Sequence, residues 1–234
     1  MFEQTIRDAV LQVKRPGTHW FSTGWNGGFW NAPVGYSISV PDSWESRDIG
    51  AYVQQRREQA GFERSGPTLL TAVNFSHLRG ARHNSVEVYA TVGLSNPASL
   101  PVNLNSSNSS GMPHSNGYQP GTVNIIVCTN VSLDEGALAN LLTVAVEAKT
   151  ATLLQLSGFP GTTTDAVLIG SNPTGPSSEF SGSGTPIGAS TRACVRDALK
   201  ASFASQYADT QVPASVEAAP YGVSTDFSTD VFSL

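Results

Sequence analysis

Over the first forty residues apolar and polar positions change in short runs, and Pro16-Gly17 interrupts them, a pattern that predicts extended chain with a turn. A Trp- and Gly-rich stretch, HWFSTGWNGGFWNAPVGY, fills 19–36. At 48–60 the period changes. Ile49, Tyr52, Val53 and Ala60 fall along one side of a helix. The runs TLLTAVNFS (68–76) and NSVEVYATV (84–92) read as two strands, and the Gly- and Arg-rich segment between them reads as the turn of an antiparallel pair. GTVNIIVCTN (121–130) and DAVLIGS (165–171) have the continuous apolar character of buried strands. Between them lies the longest predicted helix, 134–156, with Ser132 or Asp134 as its cap and Gly158 as its stop. A further helix is expected over 186–207, with Thr185 at the N-cap and Pro186 in the first turn.

Residues 103–120, NLNSSNSSGMPHSNGYQP, have no apolar period and are expected to form a flexible loop. Residues 208–234 are weakly periodic and are expected to form an extended tail. Strands dominate the first half, and strands alternate with helices in the second. The expected fold is therefore α+β: a mixed, largely antiparallel sheet packed by two main helices in a single domain.

Composition narrows the partners. Of 234 residues only 13% are charged, against about 25% in an ordinary soluble domain. The net charge is −5, with no basic face, which argues against nucleic acid. No apolar run is expected to span a bilayer and no secretory signal is read at the amino terminus, so a cytoplasmic location with no membrane partner is expected. Cys128 and Cys194 are the two cysteines, and neither has a second Cys or a His at metal-ligand spacing. His19, His77, His83 and His114 form no HxH or HExxH pattern, so no protein-bound metal is expected.

The sparing use of charge makes one place conspicuous. Glu147 and Lys149 sit inside the apolar run VAVEAKTATLLQL, and Lys149 is one of three lysines in the chain. Buried charge costs several kcal/mol (about 3–5 when one partner is missing) unless it is paired, so a site role outweighs a purely structural ion pair. Thr162-Thr163-Thr164-Asp165 follows the helix stop and offers hydroxyls, N–H groups and a carboxylate, although threonines in a turn can also serve the backbone alone. Gly182-Ser183-Gly184-Thr185 precedes a helix and could cradle an anion, or be an ordinary capped loop. Thr23, Asn26, Gly27 and Gly28 lie among Trp20, Trp25, Phe29 and Trp30, aromatics that suit either a core or a flat ligand. Asn96, Thr122 and Asn124 add neutral hydrogen-bonding groups at strand ends.

Taken in order, the Gly-Gly segment at 24–28, TVGLSN at 91–96, GTVNII at 121–126, EAKTATL at 147–153, GTTTDAV at 161–167 and SGSGTPIG at 181–188 resemble the adenosylcobinamide amidohydrolase family of cobalamin salvage. The resemblance covers residues 1–207 and leaves out the 103–120 loop and the tail. It implies hydrolysis of the amide between aminopropanol, or its phosphate, and the corrin ring of adenosylcobinamide, giving adenosylcobyric acid. The partner would be a corrinoid small molecule. No cofactor is implied, because the cobalt belongs to the substrate. Where the family often has Gly-Thr-Gly-Thr-Asp, this chain has Gly-Thr-Thr-Thr-Asp, with Thr163 in place of the second glycine.

On that resemblance the expected catalytic set is Glu147, Lys149, Thr164 and Asp165. Thr164, or a water activated by Asp165, would be the nucleophile; Lys149 would aid proton transfer and Glu147 would orient it. Backbone N–H groups of 161–165 or 182–185 would receive the oxyanion. Thr23, Asn26, Gly27, Gly28, Asn96, Thr122, Asn124, Ser183 and Thr185 would contact substrate. Self-cleavage at Gly161-Thr162 is a further variant. The competing reading is a non-catalytic corrinoid- or nucleotide-binding module, which would need no buried lysine and carboxylate.

Overall fold

Three hairpins and two strand–helix–strand crossovers build the fold. β1 (Glu3–Arg7) turns into β2 (Val10–Lys14) through Asp8 and Ala9, both left-handed at φ 46° and 59°, the two-residue turn that matches strand twist. β3 (His19–Ser22) and β4 (Gly28–Asn31) form the second hairpin, and β5 (Val34–Ser39) returns antiparallel to β2. The chain then crosses through α1 (Ile49–Gln59) to β6 (Thr68–Thr71), parallel to β5. β7 (Arg79–His83) and β8 (Val86–Val92) form the third hairpin, and β9 (Pro97–Ser99) follows. β10 (Val123–Thr129) leads through β11 (Ser132–Leu133) into α2 (Glu135–Ser157), then through β12 (Gly161–Thr162) to β13 (Ala166–Ser171), parallel to β10. β14 (Ser177–Ser178), α3 (Pro186–Gln206) and β15 (Val223–Ser224) come last. The computed structural model describes residues 2–41, 44, 48–101, 121–225, 227 and 229–233; the loop expected at 103–120 lies outside them.

The fold class is α+β as expected, and the strands form two principal sheets. One has the order β1-β2-β5-β6 and the other β4-β3-β13-β10-β8-β7. They stack face to face, with Leu11, Val13 and Leu69 of the first meeting Trp20, Ile126, Cys128 and Leu168 of the second. α1 covers the outer face of the four-stranded sheet through Val53 and Ala60, against Val10, Tyr36 and Ile38. α2 and α3 cover the outer face of the six-stranded sheet, and their buried side chains share one core with Val88, Ala90, Ile125 and Ile169. The result is four layers, helix–sheet–sheet–helices. Cys128 and Cys194 are both buried free thiols.

One expected pairing is corrected. The strands read at 68–76 and 84–92 belong to different sheets: β6 pairs with β5, whereas β8 pairs with β7 and β10. The Gly- and Arg-rich segment read as their turn is itself β7, an edge strand whose polarity reflects one-sided burial under α3. A second correction concerns α2. By length and composition alone, its 23 residues are long and apolar enough to cross a membrane. Here Leu138, Leu141, Ala145 and Leu153 lie buried in the core shared by the sheet and α3.

α2 starts and stops where its sequence indicates. Asp134 Oδ1 accepts from Ala137 N at 2.7 Å, and Gly158, left-handed at φ 79°, donates its N–H to Leu154 O at 3.0 Å. The residues expected as an extended tail fold back: Tyr221 N donates to Ser95 O, and β15 pairs with β9, which also pairs with β12. This small three-stranded sheet lies at the end of the molecule where β10 and β13 begin and β8 finishes.

Candidate active site

At that end the parallel strands lie in register, Asn124 beside Ala166, and Val92 of β8 faces Val123. The segment before β10 and the turn before β13 are therefore neighbours, and the carboxyl-terminal half of α2 packs over them. This arrangement brings Lys149 onto Asp165. The Lys149 ammonium is hydrogen-bonded to Asp165 Oδ2, and the two side chains are 9% and 12% exposed. Asp165 Oδ2 also accepts from Thr162 N at 3.1 Å, while Oδ1 accepts from Val123 N at 3.0 Å and from Thr162 Oγ1 at 2.5 Å. Four bonds occupy the four acceptor sites of the carboxylate. Asp165 therefore ties together the helix, the turn and the start of β10.

Around this pair runs a neutral network. Thr122 Oγ1 lies 2.7 Å from both the carbonyl oxygen and Oγ1 of Thr164, and Thr164 Oγ1 donates to Gly121 O at 3.1 Å. Asn96, fully buried, donates through Nδ2 to Thr163 Oγ1 at 2.7 Å and to Thr164 Oγ1 at 3.2 Å. Its backbone carbonyl accepts from Thr163 N at 3.2 Å. Asn124 Nδ2 donates to Leu70 O at 2.8 Å, so this residue fastens the two sheets together beneath the turn. The Oδ1 atoms of Asn96 and Asn124 are buried with no protein partner.

The β3–β4 hairpin reaches the same end. Thr23 exchanges bonds with Val167, its N donating to Val167 O and its Oγ1 accepting from Val167 N, both at 2.9 Å. That places Asn26, Gly27 and Gly28 at the hairpin tip beyond the start of β13. Asn26 is left-handed at φ 50°, and a Cβ on Gly27 would overlap Ser22 O. Trp25 and Phe29 are part-exposed on the hairpin, Phe29 stacked on Phe21 at 4.3 Å.

Two expectations do not survive the fold. Glu147, two residues from Lys149 and so about 200° around the helix, points outward. Its side chain is 56% exposed and lies 4.0 Å from Arg192 of α3. It does not orient Lys149; Asp165 holds that place. Glu147→Gln is expected to leave turnover within about twofold and stability within about 0.5 kcal/mol, as for other exposed pairs, measured by steady-state kinetics and urea unfolding. Ser183 and Thr185 are also remote. Thr185 caps α3, its Oγ1 accepting from Gly188 N at 3.1 Å, whereas the helix reaches the Lys149 end only at Ser202, whose Oγ accepts from Val92 N. Seventeen residues of helix separate the two by about 25 Å.

The residue left out of the expected catalytic set, and named only in the turn cluster and the self-cleavage variant, is Thr162. Its signal was the spacing: a hydroxyl three positions before a carboxylate closes a tight turn, so of the three threonines it is the one whose Oγ1 meets Asp165. Gly161, just before it, is required by space. A Cβ there would overlap Asp165 Oδ2 and Lys149 Nζ. Because both are side-chain ends, Gly161→Ala is expected to fold but to part the ion pair, with turnover falling about 100-fold, checked by kinetics beside a thermal melt.

The sequence model of the adenosylcobinamide amidohydrolase family matches residues 2–211. An adenosylcobinamide amidohydrolase of Halobacterium salinarum is 48% identical over 234 residues, covering 99% of each chain. Another, from Methanosarcina mazei, is 28% identical over 206 residues, covering 84% of this chain and 94% of its own. Near full-length likeness and a family match across nine-tenths of the fold agree: the chain belongs to the adenosylcobinamide amidohydrolase family.

Proposed function

We propose that this chain hydrolyses the amide joining aminopropanol, or its phosphate, to the corrin ring of adenosylcobinamide, releasing adenosylcobyric acid in cobalamin salvage. The observation that carries this reading is the buried Lys149–Asp165 pair set against a turn of three threonines. A module that only bound corrinoids would gain nothing from enclosing an ammonium and a carboxylate, which cost more to bury than an apolar pair of the same volume. The names of the two relatives support the same reaction.

Catalysis is assigned to the turn before β13 and to Lys149. Amide cleavage needs a nucleophile, a proton for the departing amine and donors for the oxyanion. Lys149 supplies the proton. Of the turn's N–H groups, Thr162 N serves Asp165 and Thr163 N serves Asn96, whereas Thr164 N donates to Thr162 Oγ1 across a long 3.4 Å and is assigned to an oxyanion formed there. Thr23, Asn26, Gly27 and Gly28 border the corrin and its peripheral amides, with Trp25 offering an aromatic surface. Asn96, Thr122 and Asn124 act one layer back, holding the turn in place. Cobalt enters this reading as part of the substrate.

The test is to incubate the purified chain with adenosylcobinamide and follow adenosylcobyric acid and aminopropanol by mass spectrometry. Both products should rise together in proportion to enzyme. Saturable binding of adenosylcobinamide with no product over hours would overturn the hydrolase reading in favour of the binding module.

A further inference from the structure

We infer that Thr162 is the nucleophile and that the reaction passes through an ester between its Oγ1 and the corrin acyl group; this rests on the hydrolase reading above. Three hydroxyls crowd the turn, and their partners separate them. Thr164 Oγ1 is engaged with Thr122 Oγ1, Asn96 Nδ2 and the Gly121 carbonyl, all neutral. Thr163 Oγ1 accepts from Asn96 Nδ2. Thr162 Oγ1 donates to a carboxylate, Asp165 Oδ1, at 2.5 Å, and so has a proton acceptor already in line. With Thr162 present, a water would find no free lone pair on Asp165, because the threonine hydroxyl supplies one of the four bonds its two oxygens accept.

The steps balance. Thr162 Oγ1 attacks the amide carbon and its proton passes to Asp165 Oδ1. The carbon–nitrogen bond breaks as Lys149 Nζ gives a proton to the nitrogen, and aminopropanol leaves as the free amine. The proton on Asp165 then moves to Lys149 across the hydrogen bond between them. Water next attacks the ester, its proton returning to Thr162 Oγ1, and the corrin carboxylic acid departs. Thr164 N, beside the attacking oxygen, donates to the oxyanion in both halves. Gly161 leaves the room that Asp165 and Lys149 need to take part.

The experiment uses the full chain and adenosylcobinamide. Enzyme quenched in acid during turnover should carry the mass of the corrin acyl group on the peptide containing Thr162. Thr162→Ser should retain turnover within about tenfold and show the same adduct, because the hydroxyl persists. Thr162→Val, isosteric without the hydroxyl, should lose at least about 10³-fold in turnover while its melting temperature still rises with substrate. Thr162→Val turning over within tenfold of the parent would overturn the assignment, as would an acyl adduct on another residue or no adduct in either parent or Thr162→Ser. In each of those results products still form, so the nucleophile fails and the hydrolase reading stands; a parent enzyme that forms no product removes both.

Discussion

Lys149→Met is expected to lower turnover of adenosylcobinamide by about 10³-fold, within the range that positioned proton donors contribute. Lys149 sits where one face of α2 meets the turn before β13, and its ammonium is hydrogen-bonded to Asp165. Methionine keeps the length and the apolar stem but removes the proton that the leaving amine needs. The substrate should still bind, because the β3–β4 hairpin proposed to border the corrin is untouched. The measurement is kcat beside the substrate-induced rise in melting temperature. A variant that folds and turns over within threefold of the parent removes Lys149 from the chemistry.

Asp165→Ala should have the largest effect on stability. It deletes an acceptor for two backbone N–H groups, one hydroxyl and one ammonium, and it leaves Lys149 enclosed without a counter-charge. Breaking one half of a buried pair costs about 3–5 kcal/mol. At about 2–4 °C per kcal/mol for a chain of this size, the melting temperature should fall by about 10 °C. The double variant Lys149→Met/Asp165→Ala separates the two contributions. It should recover part of the lost stability, because no lone charge remains, and none of the activity. Recovery of activity would show that the pair is structural alone.

Much of this architecture can be read along the chain. The helix over Glu135–Ser157 declares itself through Asp134 and Gly158, and α3 through Thr185 and Pro186, because caps and stops are local chemistry. The buried strands β10 and β13 are equally plain, since continuous apolar runs have few other uses. Pairing was harder. β6 and β8 look alike and lie close in sequence, yet Tyr36 and Ser37 take the first in a parallel pair through α1 while β7 and β10 take the second. Crossover choice is decided by the stacking of two sheets, which no short window records.

The site divides in the same way. Lys149 and Asp165 stand out because charge is scarce and burial makes it costly. Helical spacing already keeps Glu147 and Lys149 from pairing directly; the expectation that fails is that Glu147 orients the lysine, because the carboxylate that holds it lies sixteen residues downstream and arrives through the β12 turn. Among three adjacent threonines the sequence offers no ranking beyond the Thr162–Asp165 spacing. The loop before α3 has the look of an anion cradle, but its capping bonds are internal and it sits at the far end of the helix.

The most direct test of the central claim is a crystal structure of Thr162→Val with adenosylcobinamide bound. The account predicts the scissile amide carbon within about 3.5 Å of the residue 162 side chain, near-attack range, with its nitrogen toward Lys149 and the corrin along the β3–β4 hairpin. Toward the opposite end of the sheet, His19, Asn31, Glu135 and Leu138 line a cavity of 460 Å³. Adenosylcobinamide lodged there, with its amide more than about 10 Å from Lys149 and Asp165, would contradict the account.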